Sequence, residues 1–441
     1  MTEADTTTTP GSSGQPSYLS FWSSNDFGLS GYGLALNTAQ TSVDRSRYGQ
    51  MITKYTLDSA KLKESLGFIG STPGTQKLLV FEVPSTEKAA EVAVPLNPLM
   101  DLYSSGKIAS LAIRYGDVLY ELPIEKIPFT DISRLVSTNS FASVSLTIRM
   151  ESVPKVQLPA LSSNGAITIS ALGDPVEVYI NANVAGTTTS AEVAHKGKIY
   201  IYTTKQVPAS TASLIKYDMG SGVAAYTPSK ASTRGAGVVF TGVVGGNTVI
   251  GPAVGYSYFD DINKHWAKNE IAELASKLIV EPRSKNSTKF EPDKNITRAE
   301  FAVFIVKGLG LDGDESSARR FPDVVPGSAT GAYIGAAAKA GIINGNSDGT
   351  FKPNSNITRE QMALMMVRAM EYSGYDLSNS SGTQILVKFK DGAKIQNKVT
   401  VAKAVQEGII QGMTQTTFQP QGYATRGQAV VMLKRVLDKL N

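Results

Sequence analysis

A six-residue pattern recurs three times in the last third of this 441-residue chain: Asn295-Ile296-Thr297-Arg298-Ala299-Glu300, Asn356-Ile357-Thr358-Arg359-Glu360-Gln361 and, more loosely, Tyr423-Ala424-Thr425-Arg426-Gly427-Gln428. Each copy reads Thr-Arg-x-Glu/Gln and runs into an apolar stretch, the sequence form of a helix N-terminus closed by a capping box. Thr297, Thr358 and Thr425 are the expected N-caps, with Glu300, Gln361 and Gln428 reaching back to them. Ahead of the first copy Ile271, Leu274, Ala275 and Leu278 make a helical stripe, and behind it Phe301, Phe304, Ile305 and Leu309 make another. Two short helices and a loop cannot bury their own stripes, so three such units are expected to close around a shared core.

The capping box accounts for Thr and Glu/Gln but not for the arginine between them. Arg298, Arg359 and Arg426 occupy the first helical position, where the macrodipole favours an anion and a cation is mildly unfavourable. One such residue is readily explained as pairing with a carboxylate of the next repeat. Three in register point to an outside anion: free first-turn amides, the positive helix end and a planar guanidinium together would suit a carboxylate or phosphate.

Composition narrows the chemistry. There is no Cys, hence no disulfide framework, thiolate zinc site or thiol nucleophile, and His195 and His265 are the only histidines. No apolar run is long enough to span a membrane. Met1 is followed by Thr2-Glu3-Ala4-Asp5 and a Thr/Ser/Gly/Pro tract rather than a signal peptide, so an exported parent would make this a processed or truncated chain. The net charge of +5 is uneven: residues 1–255 carry 19 Lys+Arg against 19 Asp+Glu, residues 256–441 carry 24 against 19. That excess suits a polyanion partner but is too small to indicate nucleic acid.

Residues 1–16 read as a disordered tail. Residues 17–153 read as a β-rich domain with strands at Tyr18–Trp22, Leu78–Val83, Ile108–Tyr115, Val118–Leu122 and Val144–Met150, a tight turn at Gly116-Asp117 and a short helix at Asn97–Tyr103. Residues 154–255 read as a second, β-sandwich-like domain. In its Ile199-Tyr200-Ile201-Tyr202 segment the tyrosines mark either a sugar-stacking face or a half-buried strand. No paired-carboxylate motif, phosphate loop or Gly-x-Ser-x-Gly elbow is present.

Three motif blocks in order carry a resemblance. Phe259-Asp260-Asp261-Ile262 with His265-Trp266-Ala267, Gly341-Ile342-Ile343-Asn344-Gly345 with Asp348-Gly349-Thr350-Phe351 and Pro353, and Ile296-Thr297-Arg298-Ala299-Glu300 resemble the successive motifs of the S-layer homology (SLH) domain. The resemblance covers about residues 256–441, as repeats at about 256–311, 319–375 and 385–441. The β region ahead of it is similar, more weakly, to modules that precede carboxy-terminal SLH triplets in surface proteins of Gram-positive bacteria.

The resemblance implies an all-α, three-lobed pseudo-trimer whose inter-repeat grooves hold a secondary cell-wall polysaccharide attached to peptidoglycan, with a pyruvylated N-acetylmannosamine as the preferred terminal group. It carries the binding role onto Arg298, Arg359 and Arg426 with their caps Thr297, Thr358 and Thr425, onto Asp261, Asp323 and Asp391, onto Trp266, and onto Gly345 and Gly412. In the first repeat Pro282 stands where the glycine should be, within Glu281-Pro282-Arg283-Ser284-Lys285. The aspartates as helix caps, Trp266 as core packing and the glycines as positive-φ turns are the structural alternatives. The expected function is non-enzymatic, non-covalent cell-wall anchoring at the extracellular surface, with no catalytic residue, metal, cofactor, nucleic acid or membrane span. An anchored fragment of a polysaccharide-degrading enzyme, a separate binding module in the β region, and a self-assembling, lattice-forming S-layer subunit are the alternatives.

Overall fold

The structure, a computed structural model of the chain, describes residues 14–74, 77–138, 140–154, 166–194, 196–220, 223–284, 287–380 and 382–440. His195 and all but the last three residues of the expected tail lie outside them.

Eighteen strands among the described residues precede the repeats: β1 (Leu19–Ser24), β2 (Leu29–Leu34), β3 (Ala39–Arg45), β4 (Met51–Leu57), β5 (Leu78–Val83), β6 (Ala89–Pro95), β7 (Ser110–Tyr115), β8 (Val118–Pro123), β9 (Val144–Ser152), β10 (Ile167–Ala171), β11 (Val176–Val184), β12 (Ser190–Glu192), β13 (Lys196–Thr203), β14 (Ala212–Asp218), β15 (Val223–Thr227), β16 (Ser229–Arg234), β17 (Gly237–Gly245) and β18 (Thr248–Ser257). They form one sheet in the order β1-β2-β5-β7-β8-β13-β17-β16 and a second in the order β15-β14-β18-β11-β9-β6-β4-β3, to which β10 and β12 also pair. Strands from either side of the boundary expected at 153/154 therefore share both sheets, and β9 pairs with β11 from Val144↔Val184 to Ser152↔Val176.

Period-two patterning explains the packing. Phe81, Leu111, Ile113, Ile199, Ile201 and Phe240 from the first sheet join Val92, Val94, Leu146, Ile148, Val178 and Ile180 from the second in one buried cluster. Tyr115-Gly116-Asp117-Val118 is the expected tight turn, with Tyr115 opposite Val118 and Gly116 at φ 55°. The expected helix is α2 (Leu96–Ser104), ended by Gly106 at φ 71°. Two further helices were not anticipated. They are α1 (Ser59–Ser71), capped by the Asp58 side chain and burying Leu62, Leu66 and Ile69, and α3 (Phe129–Leu135). α1 joins strands of different sheets, β4 to β5, and β5 then pairs in parallel with β2 and β7.

Beyond Gly255 the chain is helical: α4 (Lys268–Ser276) and α5 (Arg298–Gly308) in the first repeat, α6 (Glu315–Ala318), α7 (Ala329–Lys339) and α8 (Arg359–Tyr372) in the second, α9 (Lys398–Gln406) and α10 (Arg426–Leu440) in the third. The capping boxes of α5 and α8 form as the sequence demands. α10 begins the same way, with Gln428 N donating to Thr425 Oγ1 (3.3 Å) and Thr425 N donating to Gln428 Oε1 (3.2 Å). Just ahead of the caps, three backbone bonds join the repeats in a ring: Ile296 N to Ala424 O (3.0 Å), Ala424 N to Ile357 O (3.2 Å) and Ile357 N to Ile296 O (3.1 Å).

The helical unit and the second sheet share one apolar cluster, in which Ile169, Ile215, Tyr217 and Val249 join Ile271, Leu274 and Phe304. Gly255 lets the two parts touch, because a Cβ there would lie 1.8 Å from the Ser276 carbonyl oxygen. A Lys216–Asp312 ion pair (2.7 Å) closes the rim of the junction.

Candidate functional site

Each repeat ends its middle loop in a phenylalanine followed by a residue in the left-handed region: Phe290-Glu291 (φ 60°), Phe351-Lys352 (φ 58°) and Phe418-Gln419 (φ 56°). That conformation costs an L-residue roughly 1–2 kcal/mol. The expected aspartates offset it. Asp261 accepts the amides of Phe290 and Glu291 (2.9 and 2.7 Å), Asp323 those of Phe351 and Lys352 (2.8 and 2.7 Å), and Asp391 those of Phe418 and Gln419 (2.8 and 2.7 Å). Both oxygens of each carboxylate are engaged in holding a loop. Burial raises the Asp391 carboxyl, and the two amides outweigh it, so the group lies below the usual carboxylate range.

The loop so held receives the arginine of the preceding repeat. Arg298 Nε donates to Phe351 O (2.9 Å), Arg359 Nε to Phe418 O (3.0 Å) and Arg426 Nε to Phe290 O (2.9 Å). Each guanidinium lies over the ring of the same phenylalanine, at 4.8, 5.3 and 4.4 Å. All three arginines are buried, at 9%, 4% and 1% exposure. Burial pushes each guanidinium below its ordinary value, Arg359 and Arg426 to about 10, with Asp323, Asp391 and Glu300 respectively opposing the fall.

The expectation of free first-turn amides is corrected. Arg298 N and Ala299 N donate to Ser355 O and Pro353 O, Arg359 N and Glu360 N to Gly422 O and Pro420 O, and Arg426 N and Gly427 N to Lys294 O and Pro292 O, all at 2.8–3.1 Å. Closing the ring of repeats consumes these donors, so the guanidinium alone is left to meet an anion.

The three inter-repeat grooves then diverge. Between repeats 1 and 2, Arg298 lines a cleft of about 200 Å3 with Ile343, Asn344, Gly345, Asn346, Gln361, Leu364, Met365 and Arg368. No carboxylate lines it, and Arg368 has no hydrogen-bond or ion-pair partner among the described residues. Between repeats 2 and 3, Arg359 Nη2 donates to Gln411 O (2.6 Å) and Arg435 Nη1 to Ile409 O (3.2 Å), so carbonyls occupy part of both guanidinium groups. Between repeats 3 and 1 the groove is filled by charge pairs. Arg426 bonds Glu300 Oε1 (2.8 Å) and Glu281 O (2.8 Å), Arg283 bonds the same Glu300 oxygen (2.7 Å), and Lys307 pairs with Glu281 Oε1 (2.9 Å). Burial raises the Glu300 carboxyl, but Arg283 and Arg426 outweigh it and hold the group below its ordinary value.

Gly345 sits in the open cleft, and a Cβ there would lie 2.9 Å from Phe321 Cε1; at Gly412 a Cβ would lie 2.3 Å from Thr414 O. Pro282, which stands in the glycine's place, belongs to the filled groove. Trp266 is 62% exposed, its ring 5.2 Å from that of His265. Gly427 leaves room for His265, since a Cβ there would lie 2.9 Å from its Cε1, so the pair stands at the boundary of repeats 3 and 1. The structure thus brings Arg298 and Gly345 together and leaves Trp266 and Arg426 beside the filled groove.

Arg368 was not anticipated, yet the signal is in the sequence. Lys307, Arg368 and Arg435 each follow the repeat arginine by the same interval, nine positions or about two and a half helical turns. That half-turn remainder puts the two cations of one helix on opposite faces, one toward each neighbouring groove.

Comparison with known proteins agrees with this layout. The S-layer homology domain matches residues 258–302, 320–363 and 388–430. The exoglucanase XynX of Acetivibrio thermocellus is 39% identical over 186 residues, 42% of this chain and 16% of the relative. The amylopullulanase of Thermoanaerobacterium thermosulfurigenes is 28% identical over 406 residues, 89% of this chain and 19% of the relative, so its likeness extends into the sheets. The cellulosome-anchoring protein of A. thermocellus is 30% identical over 153 residues, 34% of each chain. The chain spans about a fifth or less of the length of the first two relatives. No helix among the described residues is long and apolar enough to cross a membrane.

Proposed function

Residues 258–430 of this chain are three S-layer homology domains, and from that premise we propose that they act together as a pseudo-trimeric, non-covalent anchor to the cell wall. The ligand in this reading is an anionic, pyruvylated secondary cell-wall polysaccharide, taken up chiefly between repeats 1 and 2. The observation that carries it is the cleft holding Arg298 and Arg368 with no carboxylate in its lining. Two guanidinium groups so placed suit a sugar-borne carboxylate, and each charge-assisted bond is worth about 1.5–3 kcal/mol. Ile343, Leu364 and Met365 supply an apolar wall for the rest of a sugar ring. Thr297 and Asp323 serve the site indirectly, the first by starting α5 and the second by holding the loop on which Arg298 lies. The chain acts in this reading as an anchor rather than a catalyst, in keeping with the name of the cellulosome-anchoring relative, and carries the two sheets outward from the wall.

The test is binding to purified wall polymer. Arg298→Ala and Arg368→Ala are each expected to weaken association tenfold or more with the fold retained by circular dichroism, and chemical removal of the pyruvate is expected to abolish it. Equal binding by both variants would overturn the site; equal binding of depyruvylated polymer would overturn the ligand. Turnover assays on wall and plant polysaccharides, expected to be negative, separate the anchor from an anchored enzyme.

A further inference from the structure

A groove of about 690 Å3 opens on the face of the first sheet turned away from the second, between the β1–β2 turn at Gly28 and the starts of β5 and β7. Lys77, Lys107 and Lys198 line it, and Glu121 is its one carboxylate among the described residues. Arg234 stands at the rim, since a Cβ on the lining residue Gly28 would lie 2.7 Å from its Cζ. Its guanidinium has no hydrogen-bond or ion-pair partner among the described residues. Residues 1–255 as a whole are balanced, with 19 Lys+Arg against 19 Asp+Glu, so the positive excess is local to this groove.

Glu121 does not use up the cations. It is buried, at 8% exposure, and each of its oxygens has its own hydroxyl donor: Ser110 Oγ to Oε1 and Tyr200 Oη to Oε2, both at 2.8 Å. Lys198 Nζ stands 3.8 Å from Oε1, too far for a hydrogen bond. Lys77 Nζ donates to Gly70 O (3.0 Å) and Lys107 Nζ to Ser71 Oγ (2.7 Å), both at the end of α1. A helix C-terminus favours cations, and each of these bonds takes one of the three donors of an ammonium. The end of α1 therefore holds two lysines in place with donors to spare.

We propose that this groove binds a chain of phosphodiester-linked polyol or sugar units, its phosphates meeting Lys77, Lys107 and Lys198, with Arg234 at the mouth. Three ammonium groups and a guanidinium against one satisfied carboxylate call for an anion. An ammonium meets a phosphate as a compact point charge, whereas the paired guanidinium groups of the Arg298 cleft suit a planar carboxylate. Lys77, just ahead of β5, and Lys198, on β13, stand three strand spacings apart in the sheet, about 14 Å. The cations are thus spread along the groove rather than gathered on one point, which favours a chain over a single small anion. The aromatic side chains beside it are buried, Tyr200 at 8% and Phe27 at 4% exposure, so it offers no platform for stacked bases, and nucleic acid is disfavoured. The acid group differs from the one assigned to the Arg298 cleft, so the two sites are separable.

The experiment titrates the full chain, at low and at raised salt, with poly(glycerol phosphate), with single-stranded DNA of matched charge and with dextran, read by affinity electrophoresis. Poly(glycerol phosphate) is expected to retard the chain and added salt to release it, while dextran has no effect. Lys107→Gln and Lys198→Gln are each expected to weaken this binding about threefold, and the double variant about tenfold. Lys88→Gln, the same loss of charge beyond the far end of β5, and Arg298→Ala are expected to leave it unchanged. The proposal is overturned if poly(glycerol phosphate) does not retard the chain, if DNA binds as tightly, if Lys88→Gln weakens binding as much as the groove variants do, or if the double variant binds like the parent while circular dichroism shows it folded.

Discussion

The groove between repeats 1 and 2 and its counterpart between repeats 3 and 1 start from the same parts: a capped helix, an arginine at its first position, a phenylalanine carbonyl to receive it, and a basic residue from the neighbouring helix. They end in opposite electrostatic states. In the first, Arg298 and Arg368 face a cleft without a carboxylate. In the second, Glu300, Glu281 and Arg283 surround Arg426 and Lys307 and satisfy them internally. The difference traces to the middle loop and the capping residue. A loop through Gly345 and a capping Gln361 bring no charge, whereas a loop through Glu281-Pro282-Arg283 and a capping Glu300 bring three. One position can therefore face an open cleft in one repeat and be satisfied within the fold in another, and the motif itself does not say which.

The sharpest way to break this comparison is to remove the buried arginine of the filled groove. Arg426→Ala takes the cation from the Glu300 pair and the packing from Phe290 and Phe304, and is expected to cost about 3–5 kcal/mol in chemical denaturation. Arg298→Ala is expected to cost well under half of that; equal losses would mean that the grooves are equivalent. Next in size is the cap. Thr297→Ala, Thr358→Ala and Thr425→Ala are each expected to lose about 1 kcal/mol, alike in all three repeats, because each threonine hydroxyl accepts the same third-position amide, at 3.1, 3.3 and 3.3 Å. Unequal losses would place part of the groove difference in the helix starts.

The smallest effect is one of pH. The Glu300 carboxyl is held below its ordinary value in the folded chain, so its contribution is fully present above the unfolded carboxylate value of about 4.3 and is lost as pH falls through the lower folded value. Acid denaturation of Glu300→Gln is therefore expected to show a shallower loss of stability below about pH 4.3 than the parent. Parallel acid limbs for the two would show that the pair contributes nothing to the filled groove.

Much of the helical part was legible from short-range patterns. Thr-Arg-x-Glu/Gln announces a capped helix because each of its bonds lies within one turn, and Gly116-Asp117 announces its hairpin turn for the same reason. No local pattern announces the acceptors of the first-turn amides, because these, such as Pro353 O for Ala299, come from the next repeat, about sixty residues away in the chain for the first two pairs of repeats. Arg368 was overlooked because its significance depends on which groove its helix face meets. The helix α1 was missed although Asp58 and the Leu62, Leu66, Ile69 spacing signal it, since it lies among strands. The sharing of both sheets by residues on either side of 153/154 has no local signature, because strand partners are chosen by distant sequence.

By itself, then, the sequence determined the elements whose causes are local: caps, turns, alternating strands, and the threefold repetition of arginine. Only the tertiary structure decided which of those arginines still faces open space, because a buried charge is satisfied or left available by whatever the neighbouring repeat places against it.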